Sequence, residues 1–187
     1  MIKRIITATS LMFVCASASA AVDISGVSVP ENVTLNNSTM VLNGAGVRSK
    51  FFIDLYVGSL FTTSTSTQAQ QVIDSDSPTA IRLNITSDMI TSEKMIDALN
   101  EGFDRATNGK TEPIAASIKS LINSFSDPIK SGDQFTLMSV PGEGVISYKN
   151  GQQLAVTPGE DFRKAVLSVW LGKKPTDKGL KKSMLKG

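Results

Sequence analysis

The stretch LNGAGVRSKFFIDLYVGSLF, residues 42–61, decides how the chain is read. It opens with a flexible Gly44-Ala45-Gly46 step, places one cation at Arg48, and continues into a run rich in β-branched and aromatic residues. Such residues fit a pleated, buried surface, and the run predicts a strand from Phe51 onward. Successive strand side chains point to opposite faces. Phe51, Ile53, Leu55, Val57 and Ser59 therefore form one face, and Phe52, Asp54, Tyr56, Gly58 and Leu60 the other. The first set is nearly all apolar and the second mixed, which predicts one fully buried face and one partly covered face. An arginine at the mouth of such a strand is either a solvated edge residue or the single charge of an apolar cleft.

On the N-terminal side, residues 21–42 alternate short apolar pieces with turn residues. They read as two or three short strands, with Pro30-Glu31-Asn32 and Asn36-Asn37-Ser38 as turns. Residues 1–20 have a different character. Lys3 and Arg4 precede an apolar run of 11 residues ending at Cys15, and Ala18-Ser19-Ala20 offers small residues for cleavage. This is the pattern of a secretory signal peptide. The run is too short for the roughly 20 residues of a membrane span. Residues 1–20 are thus expected to be removed, leaving residues 21–187 as one exported domain, periplasmic or secreted, from a bacterial source. No stable membrane insertion is expected. Lys3 and Arg4 leave with the signal, so 19 basic residues become 17, matching the 17 acids. Bulk charge gives no argument for nucleic acid as a partner.

The chain has no histidine, and its one cysteine lies in the signal segment. That excludes Ser-His-Asp and Cys-His nucleophilic systems, His or thiolate metal sites, and a disulfide framework. No metal or cofactor is expected. Chemistry is left to Arg, Lys, Asp, Glu, Tyr, Ser and Thr.

On the C-terminal side, residues 68–73 read as a short helix. Residues 80–86 read as a strand with Ile81, Leu83 and Ile85 inward. Thr91-Ser92-Glu93-Lys94 starts a helix, with Thr91 or Ser92 as N-cap and Met95, Ile96, Leu99 and Phe103 as its apolar stripe. Asn108-Gly109 ends it. Glu112-Pro113 opens another helix with Ile114, Ile118, Leu121, Ile122 and Phe125 on one side. Residues 134–140 form a strand, and Asn150-Gly151 marks a hairpin between residues 145–148 and 152–156. Residues 158–171 form a helix closed by Gly172, and Thr176 caps a last short helix. Helices following strands in this way predict an α+β fold, an antiparallel sheet under a helical layer. The Gly44-Ala45-Gly46 step precedes a strand and lacks a third glycine, so it is not a dinucleotide fingerprint. Asp74-Ser75-Asp76 lacks the rest of a calcium loop. Nothing selects one pair among the 17 acids for glycoside chemistry. The six lysines from Lys173 onward read as the solvated face of the last helix.

Gly44-Ala45-Gly46-Val47-Arg48, then Lys50-Phe51 and Tyr56-Val57-Gly58-Ser59-Leu60, resembles the leading motif of the chalcone isomerase superfamily, above all the bacterial exported chalcone-isomerase-like proteins. The segment from Ala165 to Gly172, followed by Leu180-Lys181 and Gly187, resembles the helix and terminus of the same family. The resemblance implies an open-faced β-sandwich with a helical layer. It also implies a cleft between helices and sheet, with an arginine at the position of Arg48. In the plant isomerases, a tyrosine helps polarise the ketone, and a lysine and an asparagine hold the phenolate. Here Lys94 falls at the lysine position, Thr91 at the tyrosine position and Ala98 at the asparagine position. A threonine on the late helix becomes Val169, and one on the central strand falls near Leu55. Most of that polar set is therefore replaced.

The superfamily also contains non-catalytic members that bind fatty acids, with the arginine meeting the carboxylate. The resemblance thus implies a binder of a small apolar acid, with Arg48 at the polar end and Lys94 and Thr91 as secondary contacts. Two alternatives stay open at this point. One is an isomerase or lyase using Arg48, Lys94 and Tyr56 or Tyr148. The other is an envelope protein that binds a protein partner and whose cleft is filled by its own side chains.

Overall fold

Residues 42–61 form two strands rather than one. The computed structural model describes residues 20–187, so the signal-peptide reading of residues 1–20 lies, apart from Ala20, outside the described residues. Strand β4 (Ser38–Lys50) and strand β5 (Ile53–Thr62) pair antiparallel, with Lys50 opposite Ile53. Phe51 and Phe52 are the two-residue turn between them, both at positive φ, 51° and 65°. That conformation is what a type I′ hairpin turn demands. The aromatic pair expected inside a strand is therefore its apex, with Phe51 83% and Phe52 106% exposed. The expected parity holds only further along, where Tyr56, Val57, Leu60 and Phe61 are all buried. Apolar character alone cannot tell a strand interior from the tip of a hairpin.

The glycines of this motif are not a flexible step before a strand. They lie inside β4, and with Gly58 on β5 they form a track on one face. A Cβ on Gly46 would stand 2.5 Å from the Ser183 Cβ, and one on Gly58 2.8 Å from the Met184 Cε. Helix α5 (Lys178–Met184) lies directly on that track. Glycine here allows backbone and helix to approach closely. Asn43 completes the attachment. It is the extra residue of a bulge, since Leu42 pairs with Phe61 and Gly44 with Leu60. Its Nδ2 donates to the carbonyls of Met184 (2.7 Å) and Ser66 (2.9 Å), and its Oδ1 accepts from the Ser66 N–H (2.6 Å).

The two strands belong to a seven-stranded antiparallel meander in chain order. Its other members are β3 (Asn32–Leu35), β6 (Thr79–Ile85), β7 (Gln134–Val140), β8 (Gly144–Lys149) and β9 (Gln152–Thr157). β1 (Ala21–Ile24) and β2 (Val27–Pro30) form a separate hairpin. Its Val29 packs with Val57, Phe61, Met138 and Ile146 on one face of the sheet. The helices α1 (Ala69–Ile73), α2 (Ser92–Thr107), α3 (Ala115–Asn123) and α4 (Glu160–Leu171) accompany α5 on the other. There Leu60, Ile81, Leu83, Leu99, Phe103 and Trp170 share the main core. This is the α+β, open-faced sandwich expected from the sequence.

Local chemistry accounts for the helix that matters to the site. The Thr91 hydroxyl accepts the Lys94 N–H at 3.3 Å and caps α2, while Asn108 ends it in the left-handed conformation. Met95, Leu99 and Phe103 form its buried stripe. The cap of α5 is Asp177, not Thr176. The Asp177 carboxylate accepts the Leu180 N–H at 2.7 Å, whereas the Thr176 hydroxyl donates to the Val169 carbonyl.

Gly46→Val is expected to push α5 off the sheet and cost about 1–3 kcal/mol, the range for overpacking a filled core. A lowered urea midpoint, with faster tryptic cleavage after Lys181 and Lys182, is the signature; an unchanged midpoint contradicts this account of the glycine track.

Candidate functional site

The site begins with a register shift. Arg48 pairs with Tyr56 and Ser49 with Asp54, so Leu55 is an extra residue on β5. This bulge leaves both Leu55 and Tyr56 on the wall of one cleft. Residues directly opposite on an antiparallel pair share a face, so Arg48 and Tyr56 both face the helices. The Arg48 guanidinium carbon lies 5.5 Å from the centroid of the Tyr56 ring, within cation–π range.

Tyr56 is held from behind. Trp170 of α4 donates its indole N–H to the Tyr56 hydroxyl at 3.0 Å. An indole nitrogen only donates, so the phenol is the acceptor and keeps its own proton to give elsewhere. Burial pushes the Tyr56 phenol above its ordinary value of 10.0, with the charge of Arg48 and the Trp170 hydrogen bond opposing in part. Tyr56 is therefore a neutral hydrogen-bond donor at neutral pH.

The cleft encloses about 410 Å³ between the β4–β5 hairpin and α2, within the range that holds small molecules. Its apolar wall is Leu55, Ile90, Met95 and Ala98. Tyr56 is buried and Arg48 half-buried, whereas Lys50, Phe51, Met89 and Lys94 are exposed. Tyr56 is thus the buried part of the lining, and the two lysines belong to its exposed part. Asp97 and Glu101 of α2 also line the cleft. Among the described residues, no carboxylate forms an ion pair with Arg48, Lys50 or Lys94.

The structure brings Arg48 and Lys94 to one cleft, together with Ala98 and Leu55. Thr91 is not on its wall; the hydroxyl is engaged in capping α2. Val169 instead packs on α2, where a Cβ on Gly102 would stand 2.8 Å from its Cγ1. Tyr148 packs on the opposite face of the sheet with Val57 and Phe61. It can take no part in chemistry at this cleft. The cleft is also open rather than filled by its own side chains. The arrangement that sequence reasoning missed is Tyr56 opposite Arg48 with Trp170 behind it. The available signal was the spacing of Arg48 and Tyr56 about Phe51-Phe52, once that pair is read as a turn.

Tyr56→Phe removes the acceptor of the buried Trp170 N–H and is expected to cost about 1–3 kcal/mol, the penalty of an unsatisfied buried donor. Chemical denaturation checks this, and a loss below that range would mean that the indole finds another partner.

The sequence profile described as chalcone isomerase-like matches residues 21–186. No curated protein gives a significant match. Among solved structures, a fatty-acid binding protein of Arabidopsis thaliana superimposes with a TM-score of 0.67 at 15% identity, covering 86% of this chain and 92% of that one. At that identity the likeness concerns the fold. With the profile spanning nearly all the described residues, the chain belongs to the chalcone isomerase-like family.

Proposed function

We propose that this protein is a non-catalytic binder of a small apolar acid of the fatty-acid type, held in the cleft between the β4–β5 hairpin and α2. One observation carries the reading. Arg48, without a carboxylate partner among the described residues, stands beside a neutral tyrosine with a proton to donate, at the deep end of an apolar-walled cleft. A carboxylate suits that end. The guanidinium offers a planar two-pronged donor, and Tyr56 adds a third hydrogen. The alkyl chain runs along Leu55, Ile90, Met95 and Ala98 toward the mouth. Lys94 contributes a second positive charge there. Leu55 and Ala98 stand where the resemblance to the plant isomerases puts polar residues, which favours holding a ligand over converting it. The fatty-acid binding protein of similar fold supports the ligand class.

Arg48→Ala is expected to weaken binding of a long-chain fatty acid by about 10- to 100-fold, the worth of a charge-assisted hydrogen-bonded contact. Calorimetric titration of delipidated protein reads this directly. Absence of saturable binding by the parent protein, or equal affinity for the matching fatty alcohol, sinks the proposal.

We extend the proposal to location, reading residues 1–20 as an export signal and the mature protein as periplasmic or secreted. Mass analysis of the protein from its own host should then find a chain beginning at Ala21; an intact N-terminus on the purified protein rejects the reading.

A further inference from the structure

Four two-residue hairpin turns with both φ positive occur among the described residues. Three of them carry glycine or asparagine: Gly26 after Ser25, Asn36-Asn37 and Asn150-Gly151. Glycine lacks the Cβ that makes this region costly, and asparagine tolerates it through local hydrogen bonds. The fourth is Phe51-Phe52. Phenylalanine has neither advantage, so local turn chemistry gives no reason for this pair. Packing gives none either, since the two rings are 83% and 106% exposed.

The surroundings of this apex have their own character. Ile53 and Met89 are also exposed, at 39% and 48%. Lys50 holds its Nζ 5.6 Å from the Phe51 ring centroid and pairs with no carboxylate among the described residues. Asp54, the nearest acid in register, is engaged by the hydroxyls of Ser25 (3.0 Å) and Ser49 (2.7 Å). Phe51 and Met89 also line the cleft, whose exposed lining further carries Lys50, Lys94, Asp97 and Glu101, so the apolar tip adjoins a charged rim.

We infer that the Phe51-Phe52 tip docks the protein on a lipid bilayer, the rings entering the interface between head groups and acyl chains and Lys50 reaching lipid phosphates. A convex two-ring wedge needs no complementary groove in a bilayer, and buried apolar area sets the strength of such binding. A lysine beside it keeps its ammonium in the polar layer while its stem lies along the apolar one. The cleft mouth then faces the membrane, and an apolar acid passes between bilayer and cleft without crossing water. Docking itself does not rest on the ligand reading, because it is measured on delipidated protein with no acid added.

The test replaces the pair by the residues that the turn prefers, Phe51→Asn with Phe52→Gly. Sedimentation is measured with vesicles of phosphatidylcholine containing a minority of phosphatidylglycerol, alongside thermal melting without vesicles. The parent protein is expected to sediment with the vesicles. The double variant is expected to lose about a hundredfold or more in partitioning, from the removal of two buried aromatic side chains, and to melt higher than the parent. A parent that stays in the supernatant overturns the inference, as does a variant that sediments equally well. A variant that melts lower shows that the rings serve the fold and also overturns it. Self-association that the substitution abolishes, without vesicle binding, assigns the tip to a second copy of the chain instead.

Discussion

The fold depends on one close approach, that of helix α5 to the backbone of β4 and β5. A helix normally stands off a sheet by the thickness of the side chains between them. Here the sheet gives up its side chains at Gly44, Gly46 and Gly58, and Ser183, Met184 and Leu180 occupy the space. Asn43 then ties the end of α5 to the loop at Ser66. Going along the hairpin on this face, the pairs read Gly44 with Leu60, Gly46 with Gly58, and Arg48 with Tyr56. The last is the first pair beyond the glycine track to carry two large polar-tipped side chains. Arg48 and Tyr56 therefore stand where the cover of α5 ends and a cleft under α2 begins. The position of the site follows from how far the last helix reaches.

Two arginines show what separates a structural guanidinium from one available to a ligand. Arg163 of α4 is fully buried and fully engaged. Its Nε and Nη2 donate to the Glu160 carboxylate, and its Nη1 to the Ser139 hydroxyl at 3.0 Å. A buried charge survives only with such partners. Arg48 is half-buried, lies against an aromatic ring and forms no ion pair among the described residues. An incoming carboxylate supplies what the protein supplies to Arg163, and the neutral Tyr56 adds a donor without adding repulsion.

Much of the fold was legible because its signals are local. Asn150-Gly151 announced its hairpin, Thr91 and Asn108 marked both ends of α2, and the alternation of Ile81, Leu83 and Ile85 gave the buried face of β6. The failures share a cause, which is dependence on distant chain. The Gly44-Ala45-Gly46 step read as flexible because the helix that needs its bare backbone lies some 140 residues later. Phe51-Phe52 read as strand because aromatic residues carry strand propensity and no turn chemistry. Once the turn was missed, the opposition of Arg48 and Tyr56 was hidden. Resemblance to a known family pointed to Arg48, Lys94 and Thr91; it did not reveal that Tyr56 faces the arginine, and the capping role read for Thr91 from its local sequence is the one its hydroxyl fills.

A turn without turn chemistry raises the question of what fixes the register. Left-handed conformations cost roughly 1–2 kcal/mol for each ordinary residue, so Phe51-Phe52 contributes nothing toward closing the hairpin. A slip by one residue would move every side chain to the other face. Arg48 would then be driven among Val57, Phe61 and Met138, with no partner for its charge. It would also put side chains where α5 now meets glycine. The register is thus held from within, by burial on both faces from Tyr56 to Phe61 and by the bulges at Asn43 and Leu55. An interior this decisive relieves the apex of any duty to the fold. The identity of the two apical residues is then free to answer to whatever the tip meets outside the molecule.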